Sequence, residues 1–219
     1  RRFLNVCGLL ERSSHVEGDA RVWRHAMPLK KYRLDAGWMS SLAQAQSASV
    51  FTRAAVHTQD DRYAELAHAS IRPLLDDRQP TVLAHIAEGP VPEECPTKPP
   101  SLILNGWIYA LWGLRDVATG LGLSRAHKMY EDSLTCLLEV LPRYDVGWWT
   151  CYSLYPFRLP DLAKIFYHRL HIDQTEMMTR LTSEREFAEA ASRWRTYDVP
   201  TRRLALVAQK AAFVASGYR

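Results

Sequence analysis

Glycine-rich phosphate loops, Cys-x-x-Cys pairs and long apolar runs are all missing from this chain of 219 residues. No apolar run approaches the ~20 residues that a membrane-spanning helix needs, so a soluble chain with no membrane span is expected. Its four cysteines, Cys7, Cys95, Cys136 and Cys151, are irregularly spaced. Neither a zinc site nor a disulfide scaffold follows from such spacing, and free, mostly buried thiols are the default. With no glycine-rich loop and no clustered ligand set, no metal, nucleotide or redox cofactor is expected. Charge of one sign is also lacking: 28 basic against 24 acidic residues leave a net charge of +4. That charge is spread rather than striped, which argues against nucleic acid as a partner and permits an anionic ligand. The opening Arg1-Arg2, followed by only a short apolar stretch to Leu10, makes a poor signal peptide. A cytoplasmic location is slightly favoured on that ground, and the chain reads as processed or as a piece of a longer one.

What is present is helix-forming sequence arranged in pairs. An apolar content of 47% supports one domain with a sizeable core, and residues 1–219 are read as a single unit. A short helix over residues 1–12 is expected, then a polar loop and an extended stretch from Arg21 to Leu34. Asp35 is expected to cap a helix over 36–57, whose Trp38, Leu42, Ala45 and Ser49 form one stripe. Its partner, 61–75, turns Tyr63, Leu66, Ile71 and Leu74 inward. Five prolines and one glycine between Thr81 and Pro100 then predict a β-hairpin or extended arm. The second pair is 101–119 and 124–141, separated at Gly120 and Gly122. The third is 161–181 and 183–197, with Ser183 and Glu186 spelling a capping box, and a last helix runs from Thr201 to about Ser216. Recurrent pairs, each with a first helix rich in small, aromatic and amide residues, predict an all-α fold. Its architecture would be an incomplete α/α toroid of paired inner and outer helices with a short arm. Gln44 or Gln46, Asn105, Tyr109, Tyr167 and His171 would then converge on one cleft.

The stretch from Gly147 to Gln174, GWWTCYSLYPFRLPDLAKIFYHRLHIDQ, is the densest in chemistry. Pro156 and Pro160 forbid a helix before Asp161, so irregular chain would present Trp148, Trp149, Tyr152 and Tyr155 to a helix capped by Asp161. Tyr167 and His171 share one helical face, as do Lys164 and His168. Burying polar tips without partners is costly, so these residues are candidates for a site rather than for plain core.

Four segments carry a family resemblance: GWMSSLAQAQ (37–46), EECPTKPPSLILNGWIYALWGL (93–114), LPRYDVGWWTCYSLYP (141–156) and LAKIFYHRLHIDQ (162–174). In order and spacing they resemble the C-terminal domain of the D-glucuronyl C5-epimerases, which act on heparosan and heparan sulfate type glycosaminoglycans. The resemblance implies a helical domain with a cleft for an anionic, uronic acid-containing polysaccharide. It places the family's glutamate on Glu94, its turn tyrosine on Tyr152 and its helix tyrosine on Tyr167, as the catalytic residues. Asn105, Lys164, His168, His171, Gln44, Gln46 and Trp149 are the implied substrate-binding residues. The tyrosine next to the family's glutamate is Cys95 here, and the arginine three residues after its turn tyrosine is Tyr155.

Inverting C5 of a hexuronic acid removes a proton α to a carboxylate and returns one to the opposite face, which needs two acid/base groups. A phenol ionises near pH 10, so a cation, Lys164 or a protonated histidine, is expected to make tyrosine a usable base. Two other readings stay open: a uronate lyase, since loss of the same proton can end in elimination, and a glycan-binding module without catalysis. A homo-oligomer is compatible with either.

Overall fold

Small residues set the spacing of the central helices. The computed structural model describes residues 1–217, among which lie eight α-helices. These are α1 (Arg2–Ser13), α2 (Ser41–Thr58), α3 (Asp61–Ile71), α4 (Leu104–Leu121), α5 (Ser124–Val140), α6 (Ile165–Thr182), α7 (Arg185–Arg195) and α8 (Pro200–Ala215). On α4, Gly106, Gly113 and Gly120 recur every seven residues and so stay on one face. A Cβ at Gly113 would stand 2.5 Å from the Ala45 carbonyl oxygen, and one at Gly120 would stand 2.5 Å from Thr52 Cγ2. Glycine there lets the backbone of α4 lie directly on the small face of α2.

The cross-links between helices define their direction. Gln46 donates to the Tyr109 carbonyl and Ser49 to Asp116, so numbering advances together along α2 and α4, which are parallel. Gln174 donates to the Asn105 carbonyl and the Trp112 indole to Met178 Sδ, so α6 runs parallel to α4 in the same way. Each first helix turns back into its partner through a left-handed residue: Gln59 (φ 56°), Gly122 (φ 67°) and Ser183 (φ 63°). The result is a row of parallel helices, α2, α4 and α6, each backed by the second helix of its hairpin. This mostly helical, paired organisation is the one the composition predicted. Trp107, Ile108 and Leu111 of α4 meet Leu134, Leu137 and Val140 of α5 in the main core. Trp149, Phe187 and Trp194 extend that core beneath α6 and α7, each buried large side chain contributing ~1.5–3 kcal/mol.

Short strand pairs carry the connections. The expected arm is an antiparallel hairpin of β3 (Leu83–Ile86) and β4 (Gly89–Pro92). The predicted polar loop before Arg21 is instead a second hairpin, β1 (His15–Glu17) and β2 (Ala20–Val22), turning on Gly18 at φ 62°.

Four expected helix starts move, that of the 101–119 helix to Leu104. The second helix begins at Ser41 rather than Ala36, because Gly37 (φ 94°) and an Arg24 to Met39 bridge keep the chain extended, and Trp38 stacks on His25 instead. Asp161 caps nothing: it lies in β6 (Asp161–Leu162), paired with β5 (Cys151–Ser153), and α6 starts at Ile165. Ser183 ends α6 instead of capping α7, whose N-terminal position is Glu184 with no side-chain cap bond. Among the described residues, no helix is long and apolar enough to cross a membrane.

Candidate active site

Two adjacent glutamates leave the end of β4 in opposite directions. Glu93 is buried and bound on three sides, accepting from Ser101 N–H, Ser101 Oγ and Leu102 N–H, so its carboxylate clamps the turn that launches α4. Leu102 is held there at a left-handed φ of 48°. Glu94 points the other way and rests on the first turn of α4, where a Cβ at Gly106 would come within 2.5 Å of Glu94 Cβ. Glycine at 106 is therefore what makes room for this carboxylate. Asn105 Nδ2 donates to Glu94 Oε2 at 3.4 Å, and the Tyr152 phenol lies within hydrogen-bonding range of the same carboxylate.

Tyr152 arrives from β5 and Tyr167 from the first turn of α6. Their rings meet edge to face with centroids 4.8 Å apart. Three segments far apart in sequence thus deliver Glu94, Tyr152 and Tyr167 to one place, Tyr152 standing between the other two. Burial and the neighbouring Glu93 push the Glu94 carboxyl up to about 7, against the Tyr152 hydrogen bond and the Lys31 charge, which pull it down. Burial, then the Glu94 charge, pushes the Tyr152 phenol well above the ordinary tyrosine range. Near neutral pH the pair is one carboxyl poised to gain or lose a proton beside one phenol that keeps its own. That reverses the expectation of a tyrosine ionised by a neighbouring cation.

Several expected binding residues prove to be packing residues. His168 is buried, with Nδ1 2.9 Å from Thr150 Oγ1 and Nε2 3.1 Å from the Trp194 carbonyl oxygen, its ring stacked on Trp149. Burial lowers His168 to about 4 and His171 to about 3, so both are neutral at pH 7 and neither is the cation foreseen. Trp149 is fully buried, its indole donating to the Ala163 carbonyl, out of reach of any polysaccharide. Gln44 is fully buried too, stapling Trp23, Arg21 and Ser70 backbone groups together. Gln46 ties α2 to α4. Lys164 faces solvent at the start of α6. Asn105 alone of the expected binding set touches the glutamate. Cys95, where the family's tyrosine was expected, is buried against Tyr32 and Ile103.

The residue missed in the sequence is Lys31. It follows Lys30 in a short 3-10 turn, and no local pattern sets it apart. Tertiary packing places its ammonium 5.0 Å from the Tyr152 ring centroid and 2.5 Å from Asp161 Oδ2. Asp161 is fully buried and also accepts from Ser153 Oγ, Tyr32 Oη and Lys210 Nζ.

A helical row thus holds a near-neutral carboxyl against one protonated phenol. A family model described as the D-glucuronyl C5-epimerase C-terminus matches residues 17–196, and the chain belongs to that family. It is 29% identical over 184 residues to the D-glucuronyl C5-epimerase of Caenorhabditis elegans, covering 77% of this chain and 30% of that protein. It is also 27% identical over 180 residues to an uncharacterized protein of Methanocaldococcus jannaschii, covering 80% of this chain and 57% of that one. The chain thus spans less than a third of one of these curated relatives and just over half of the other.

Proposed function

We propose that this chain carries the acid/base site of a polysaccharide uronosyl C5-epimerase, inverting C5 of D-glucuronic acid in a heparosan-like polymer. The observation that carries the reading is the meeting of Glu94, Tyr152 and Tyr167, with the Glu94 carboxyl brought to about 7. A general base works best when its pKa lies near the working pH, and a carboxyl in its ordinary range would be a weaker base for a carbon acid.

In this reading Glu94 takes the C5 proton, and the C–H electrons move into the substrate carboxylate as an enolate. The Tyr167 phenol then gives its proton to the opposite face of C5. Tyr152 hydrogen-bonds to Glu94, holds its orientation and links it to Tyr167, so the proton on Glu94 can return towards the tyrosine pair and reset the site. No atom is gained or lost, as an isomerisation requires. Placing the two proton-transfer groups on separate elements, the end of the arm and α6, allows approach to a sugar ring from two directions.

The test is solvent deuterium exchange into C5 of a glucuronic acid polymer. Tyr167→Phe should lower exchange by two or more orders of magnitude while binding and thermal stability change little, since only a hydroxyl is removed. Tyr152→Phe should behave similarly. Tyr109→Phe, whose ring packs on Trp112 away from Glu94, should stay within a few fold of the parent. A parent protein that binds the polymer yet shows no exchange would replace the epimerase reading with that of a glycan-binding module.

A further inference from the structure

Two ammonium groups, Lys31 and Lys210, converge on the single buried carboxylate of Asp161, and that of Lys31 lies beside the Tyr152 ring. Asp161 is already supplied: besides the lysines it takes Ser153 Oγ and Tyr32 Oη, so its charge is satisfied without the whole of Lys31. An ammonium has three N–H donors, of which Asp161 occupies one of those on Lys31. The Lys31 side chain keeps a quarter of its surface exposed, at 25%, while Asp161 is fully enclosed. Its ammonium lies 5.0 to 5.7 Å from the ring centroids of Tyr32, Tyr152, Phe157 and Phe213. A cation fixed in this way, by one ion pair and a ring of aromatic faces, has lost its rotamer freedom before any ligand arrives.

We propose that Lys31 is the residue that binds the carboxylate of the substrate uronate, and so decides for acidic over neutral sugars. The inference rests on the epimerase reading of the same site and adds to it the group that recognises the acid. It places the cation on the turn before α2, whereas Lys164, expected among the substrate-binding residues, faces solvent. It also gives Asp161 a purpose: its carboxylate holds Lys31 over the Tyr152 ring, from where the Lys31 charge acts on the Glu94 carboxyl. An enolate formed at C5 delocalises its charge onto that same carboxylate, so a cation bound there would also favour the intermediate.

The experiment compares binding of heparosan and of carboxyl-reduced heparosan to the purified chain and its variants, with C5 deuterium exchange measured in parallel. Two variants guard against loss of folding. Lys31→Gln keeps a donor for Asp161, and Lys31→Met keeps the apolar stem among the four rings; thermal unfolding identifies which is folded. The folded variant should bind heparosan about ten-fold or more weakly, the loss expected for a charge-assisted hydrogen bond. Its affinity for the carboxyl-reduced polymer should stay within about two-fold, and Lys31→Arg should retain most of the preference for the acid. If the folded variant keeps the parental ratio of the two affinities, or the parent shows no preference for the acidic polymer, the assignment of Lys31 is overturned. Exchange separates the two readings. A parent that exchanges C5 while the Lys31 variant keeps the parental ratio retains the epimerase reading and loses Lys31. A parent whose preference depends on Lys31 but which never exchanges C5 retains Lys31 as an acid-recognising residue and loses the epimerase reading.

Discussion

At the scale of the residue, Glu94 shows how one backbone neighbour can separate two identical side chains. Glu93 spends its oxygens on three local donors, whereas Glu94 has one amide, one phenol and a distant ammonium. A rise of the carboxyl from 4.5 to about 7 corresponds to on the order of 3 kcal/mol against the ionised form. In the folded state the group holds a proton that the unfolded chain has already released, so between pH 4.5 and about 7 stability contributed by this group falls as pH rises. Glu94→Gln should therefore be more stable than the parent above pH 7, with the gap closing towards pH 4.5 in a series of thermal melts. The same group predicts an acidic limb with a midpoint near pH 7 in the exchange rate of the parent. A flat rate between pH 6 and 8 would remove Glu94 from the role of base. Cys95 is a second residue whose meaning changed on packing. It stands where the resemblance places a tyrosine, but the thiol is 2% exposed within the Tyr32 and Ile103 cluster. A phenol added there overfills a closed space, and loss of stability is the expected outcome.

At the scale of the element, α4 serves two neighbours with one glycine seam. Gly113 lies against the Ala45 backbone, which cannot yield, so Gly113→Ala should cost several kcal/mol through separation of α2 and α4. Gly106 lies against Glu94, whose carboxylate can swing away but whose Cβ, 2.5 Å from an added methyl, moves only with its backbone. Gly106→Ala should therefore cost stability as Gly113→Ala does, yet lower C5 exchange more, because Glu94 is displaced from Tyr152. Denaturant melts and exchange rates on the two variants decide this, and equal losses in both measurements would argue against a special seat at Gly106. The aromatic stretch divides in a similar manner. Trp149 and the two histidines turn into the core, while Tyr152 turns towards Glu94 and meets the Tyr167 ring.

At the scale of the whole molecule, the interface of α6, α7 and the aromatic loop contains two imidazoles kept neutral by burial. His168 and His171 sit at about 4 and about 3, below the ordinary 6.5, so the unfolded chain takes up protons first as pH falls. Their contribution is intact above pH 6.5 and is lost as pH falls through that value towards 4 and 3. Acid melts of the parent should show this loss, and His171→Asn, lower in stability at neutral pH, should show a shallower decline. The helix pairs and the arm were legible in the sequence alone. Periodicity, proline placement and glycine breaks act over neighbouring residues, and four separated motifs kept their family order. Tertiary structure alone decided which polar groups are taken up by packing, because a side chain's surroundings come from elements remote in sequence. His168 was spent on Trp149 and Thr150, Gln44 on three backbone groups, and Lys31 was carried across 130 positions to Asp161. Helix periodicity tells which residues share a face; only packing sets the dielectric and the charges that face meets, and these gave Glu94 its near-neutral carboxyl and the histidines their neutrality.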